Sequence, residues 1–166
     1  MTARLTGTKN EVLTLDIGPP DESPTEPGFV IWGVSVSASL PDCWPPLTQS
    51  VESSLYHLPD VSSLEELLGG NSSARFEFDV LNFKLEIFEH TLNSGPRYGY
   101  VADCHVYSNN VTQISDWDTG IADQLLHERW DGAMSTKFAF LVGYESLKSF
   151  HKHLRIDIRE RIHNGG

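Results

Sequence analysis

The chain has 166 residues, of which 39% are hydrophobic, and its 23 acids against 12 Lys and Arg give a net charge of −11. That length suits one domain or two small fused halves, burying roughly two-thirds of the unfolded surface, and four Trp and eight Phe exclude general disorder. The charge argues against a nucleic-acid partner, which needs a Lys/Arg surplus on at least one face, and no apolar run is long enough to span a bilayer.

Residues 1–10 are polar and are expected to form a flexible N-terminus ahead of a single α+β domain over 11–166. No apolar signal-like segment follows Met1, and Cys43 and Cys104 are too few for a disulfide framework or a zinc ligand set, so a cytoplasmic protein is expected. Glu11–Ile17 alternates like a half-buried strand. The run 18–28, with four prolines and two glycines, predicts a loop. Phe29–Ser39 reads as a strand with Trp32, Val34, Val36 and Ala38 on one face and Ser35, Ser37 and Ser39 on the other. Leu47, Val51, Leu55 and Leu58 have helical spacing, ended by Pro59. A second short helix is expected at 62–68, with Ser62 capping, Glu65 completing a capping box and Gly69-Gly70 as the stop.

Arg75–Val80 alternates and leads into Leu85, Phe88 and Leu92; Lys137–Val142 alternates and leads into Leu147, Phe150 and Leu154 at the same spacing. At an offset of 62, six of eighteen positions are identical, which reads as a strand feeding a helix, used twice. Phe83, Leu85 and Ile87 also alternate, leaving a strand as the alternative for the first copy. The corresponding pseudo-repeats run over about 11–93 and 94–166. Tyr98–Tyr107 is a strand with Tyr100, Ala102, Cys104 and Val106 on one face and Asp103, His105 and Tyr107 on the other; helices are expected at about 117–130 and 146–163.

Phe138-Ala-Phe-Leu-Val-Gly-Tyr-Glu-Ser-Leu-Lys-Ser-Phe-His151 resembles the strand-to-helix segment of the dimeric α/β-barrel superfamily, which includes the antibiotic-biosynthesis-monooxygenase-like and stress-responsive barrel proteins. Those chains often read Phe-x-x-Leu-(Ile/Val)-Gly-Trp-Glu-Ser-x-x-x-His there; here Tyr144 replaces the Trp, and the His position falls on Phe150, with His151 one place later. The resemblance implies a ferredoxin-like α+β barrel, as a homodimer or as two fused halves forming an internal pseudo-dimer. It also implies a pocket for a small hydrophobic, aromatic or polyketide-like molecule, and cofactor-independent secondary-metabolism chemistry such as cyclisation, isomerisation, decarboxylation or oxygenation.

Within that frame His105 is the candidate general base, Asp103 its orienting partner, and Tyr107 or Tyr100 the hydrogen-bond donor. Candidate substrate contacts are Tyr100, Trp32, Trp117, Tyr144 and His151; no cofactor is called for, and no His/carboxylate pair has metal-ligand spacing. The alternatives are a polar solvent-facing strand for the triad, core packing for the tryptophans and His151, and a non-enzymatic function. In that last reading the seven acids from Asp60 to His90 serve an immunity-type inhibitor of a basic partner. From Glu145 onward five Lys/Arg outnumber three acids, giving an acidic body a basic end that could dock a partner or remain a solvated helix face.

Overall fold

A computed structural model describes residues 2–22, 27–43, 46–90, 99–107 and 135–164. Its first sheet is an antiparallel meander in chain order: β1 (Ala3–Thr6), β2 (Val12–Glu22), β3 (Val30–Leu40) and β4 (Leu47–Leu55), followed by helix α1 (Ser62–Leu68). The second sheet repeats the plan with β5 (Arg75–Val80), β6 (Phe83–Glu89), β7 (Tyr100–Tyr107) and β8 (Ser135–Val142), followed by helix α2 (Tyr144–Asn164).

This architecture replaces the expected ferredoxin-like α/β barrel. Such a unit uses helical crossovers that seat strands distant in the chain side by side, whereas every described strand pair here joins chain neighbours in a meander order. The described strands form two separate four-stranded sheets and close no barrel. The secondary-metabolism, polyketide and cyclase chemistry inferred through that barrel loses its structural footing.

Alternation decides the inner faces. Leu13, Leu15 and Ile17 of β2, Val34, Val36 and Ala38 of β3, and Phe76, Phe78 and Val80 of β5 are all buried. Helix α2 adds Leu147, Phe150, Leu154 and Ile158 at helical spacing, lies on β1 and β2, and touches α1. Phe150 meets Phe76 of β5 edge-to-face, ring centroids 6.5 Å apart, so the closing helix packs on both halves.

Several local expectations are corrected. Residues 3–6 are a strand with Ala3 and Leu5 fully buried, not a frayed end, because the short alternation Ala-Arg-Leu-Thr continues the first sheet. The proline-rich run is strand as far as Glu22, with a register shift between Ile17 and Pro20. Gly18 lets the strands approach closely there: a Cβ would stand 3.2 Å from the Gly33 carbonyl oxygen and push it back by a few tenths of an ångström. Residues 47–55 are β4 rather than a helix, and 83–89 are β6, so the first copy of the 62-residue pattern is a hairpin while the second is strand then helix. Val61, not Ser62, is the N-cap of α1 and makes no side-chain cap bond; Asp60, just before it, holds the helix start by accepting the Ser62 N–H at 2.9 Å and the Ser62 hydroxyl at 2.8 Å. Those bonds hold the Asp60 carboxyl below its ordinary pKa.

The two sheets are joined at both edges of the first. The Thr8 N–H donates to the Leu141 carbonyl at 2.9 Å, and Asn82, in the β5–β6 turn, donates from Nδ2 to the Glu52 carbonyl of β4 at 3.4 Å. A third link comes from α2. β1 stops at Ala3, opposite Leu15, so the backbone of Ile17 projects past the end of its neighbour. Asp157, completely buried, accepts the Ile17 N–H at 3.4 Å, and Arg161 donates from Nε to the Ile17 carbonyl at 2.9 Å. Arg161 Nη2 lies 3.5 Å from Asp157, so one helical turn supplies the donor and acceptor that a neighbouring strand would have offered.

Candidate functional site

Because side chains alternate, each sheet turns every second residue away from the core. On the second sheet the strand register sorts these outward residues into rows that cross the strands. One row reads Arg75, Phe88, Val101, Leu141; the next Glu77, Glu86, Asp103, Ala139; the third Asp79, Lys84, His105, Lys137. Rows lie about 7 Å apart, with steps of about 4.8 Å between strands. The face is therefore striped, with an apolar row beside an acidic row and a mixed row beyond.

The expected trio does share this face. Asp103 is exposed, while His105 and Tyr107 are half-buried, with their rings 4.2 Å apart and tilted by 38°. It is the outer face: Tyr100, Ala102, Cys104 and Val106 occupy the core side of the same strand. In the ladder His105 stands between Lys84 and Lys137, and Asp103 between Glu86 and Ala139.

The remaining candidates are dispersed. Tyr100 is buried on the opposite side of β7, its hydroxyl donating to the Leu67 carbonyl at 3.4 Å, which makes it an anchor for α1. Trp32 is partly buried against the core from β3. Tyr144 is exposed at the start of α2, with Lys148 Nζ 5.9 Å from its ring centroid. His151 points at α1, its Nε2 3.4 Å from Glu65 Oε1 at ion-pair range but without hydrogen-bond geometry. Trp117 lies outside the described residues, as does the helix expected around it.

Electrostatics tie the stripes together. Glu86 pairs with Lys84 on its own strand and, at 3.0 Å, with Arg75 on β5; Arg75 also covers the Phe88 ring at 4.7 Å. The hydrogen bond to Lys84 is the largest cause of a lowered Glu86 pKa, and the same bond, helped by Glu77 and Asp79, raises that of Lys84. Glu77 and Asp103 remain as exposed carboxylates on the acidic row. Sequence reasoning passed over Phe88, Val101 and Leu141 as a set, because the row exists only once four strands are in register. On the inner side, burial and then the Asp103 charge push the Cys104 thiol far up, so it is an inert core group.

Among the described residues, no group of three His, Cys, Asp or Glu is placed to hold a metal ion, and no helix is long and apolar enough to cross a membrane.

No protein-family model matches the chain, and no curated protein matches it. Among solved structures the chain is similar to that of the plant transcriptional regulator PBF-2, with a TM-score of 0.48 and 10% identity over 98% of this chain and 90% of that one. A likeness of that size carries no functional argument.

Proposed function

We propose that this chain is a binding protein rather than an enzyme, and that the outer face of its second sheet receives a protein partner whose contact surface carries basic residues beside an apolar strip. One observation supports the reading: the apolar row Phe88, Val101, Leu141 runs parallel to the acidic row Glu77, Glu86, Asp103 on a single sheet face. An apolar strip gives area to bury, and adjacent carboxylates select a basic neighbour and set its register. Asp103, His105 and Tyr107 enter as part of the contact surface; a general base would need an enclosed substrate, and this strand face is turned away from the core. Cys43 and Cys104, which form no disulfide among the described residues, favour a cytoplasmic setting.

The test is capture with the immobilised chain and with a Glu77→Lys, Asp103→Lys variant, both positions being exposed so that folding is spared. A basic protein retained by the first, lost by the second, and re-forming a salt-sensitive complex from purified components is the expected result. Equal retention by both would remove this face from the function.

A further inference from the structure

Helix α2 carries a second surface that the first does not explain. At 100° per residue, Tyr144, Lys148, Lys152, Arg155, Arg159 and Ile162 fall within about 80° of one another on the helix. All six are exposed, with Tyr144 and Ile162 47% and 58% accessible at the two ends. Glu145 and Glu160 lie outside the stripe, and among the described residues Arg155 is the one stripe cation paired with an acid, Glu65 at 3.0 Å. In a chain of net charge −11, this is a concentrated basic ridge with an apolar residue at each end.

We infer that a second copy of this chain occupies the outer face of the second sheet, laying its α2 ridge across the strands. The inference rests on the reading of that face as a docking surface. Complementarity of charge and of length supports it. From Lys148 to Arg159 the ridge spans roughly 16 Å at 1.5 Å per residue, against about 14 Å across the four strands, of which the acids occupy about 10 Å on three. Lys148, Lys152 and Arg159 meet the row of Glu77, Glu86 and Asp103, and Ile162, just beyond Arg159, reaches the end of the row of Phe88, Val101 and Leu141. Ridge and face are different patches of one chain, and two copies related by a two-fold axis close the contact by each docking its ridge on the other's face, an isologous arrangement.

Sedimentation of the purified chain at about 200 µM tests this, because a modest interface of this polarity has micromolar affinity. Association is expected in about 20 mM salt and its loss in about 0.5 M salt, where charges are screened within a few ångströms. A ridge variant, Lys152→Glu with Arg159→Glu, and the face variant, Glu77→Lys with Asp103→Lys, should each be monomeric alone. Mixed together they should form a one-to-one dimer, since the untouched face of one matches the untouched ridge of the other. A wild type that stays monomeric in low salt, or a ridge variant that associates as the wild type does, overturns the inference. If self-association fails in this way while the face variant still loses its captured basic partner, the binding function stands and only the second copy is excluded.

Discussion

On the first sheet the outward row Arg4, Thr14, Ser37, Ser50 is followed by Asp16, Ser35, Glu52 and flanked by Thr6, Val12, Ser39, Thr48. On the second, the corresponding rows are an apolar strip, an acidic strip and a mixed strip. Both sheets are four-stranded antiparallel meanders in chain order, and both give their inner faces to Leu, Val, Ile and Phe. The core constrains one face of each and leaves the other to composition. Small hydroxyls on the first sheet satisfy each other or a neighbouring carboxylate, as Thr14 does with Ser37 and Ser35 with Glu52. The second sheet instead carries large apolar and charged groups on that face, and the proposed docking surface rests on that difference.

The contrast between inner and outer positions is sharpest at a pair of phenylalanines that match in the 62-residue pattern. Phe150 is completely buried against Phe76, whereas Phe88 is half-buried on the outer face under Arg75. Phe150→Ala should cost about 3–5 kcal/mol in denaturant unfolding. Phe88→Ala should cost under about 1 kcal/mol and weaken binding instead. Equal losses of stability would mean that the outer face is core after all.

Next in size is the link between the halves. Asp157→Ala should cost about 2–3 kcal/mol, because it strips the Ile17 N–H of its acceptor and leaves Arg161 without its carboxylate. Asp157→Asn, which retains an acceptor oxygen, should recover part of that. A neutral result for the alanine variant would show that the first sheet does not depend on α2 at this corner.

How much of this could be seen in the sequence depended on whether a pattern had one solution. Strands 100–107 and 135–142, the short helix at 62–68 and the closing helix at 144–164 follow from clean alternation or clean helical spacing. Leu47, Val51 and Leu55 did not, because a spacing of four fits a helical turn and also keeps every residue on one side of a strand. The shared face of Asp103, His105 and Tyr107 was legible for the same reason that its setting was not: alternation fixes which side chains travel together, while the neighbouring strands fix what surrounds them. Asp157 escaped notice because a carboxylate among Leu147, Phe150, Leu154 and Ile158 reads as a solvent position until the unpaired backbone of Ile17 is brought against it.

On the first sheet, Ser37→Ala should cost only about 0.5–1 kcal/mol, the worth of its hydrogen bond with Thr14, and should leave partner binding unchanged. A fall in binding comparable with that of Glu77→Lys would place function on the hydroxyl face and undo the comparison.

The smallest effect tests how the acidic strip is held. The folded-state pKa of Glu86 is lowered, first by its hydrogen bond to Lys84, from an ordinary value of 4.5. Its contribution is therefore complete above pH 4.5 and is lost as the pH falls through the lower folded value. Lys84 runs the other way: its pKa is raised above 10.5, so its contribution is complete below 10.5 and is lost as the pH climbs through the higher folded value. The pair lies at the solvent edge of the outer face with 22% and 20% of its side chains accessible, and screening there keeps the total to about 1 kcal/mol or less. Glu86→Gln should flatten stability against pH by that amount at both ends, in acid because the carboxylate is gone and in base because Lys84 has lost its partner. Loss of slope at only one end would mean that Lys84 is held by Glu77 and Asp79, and that the acidic row is organised from β5 rather than from β6.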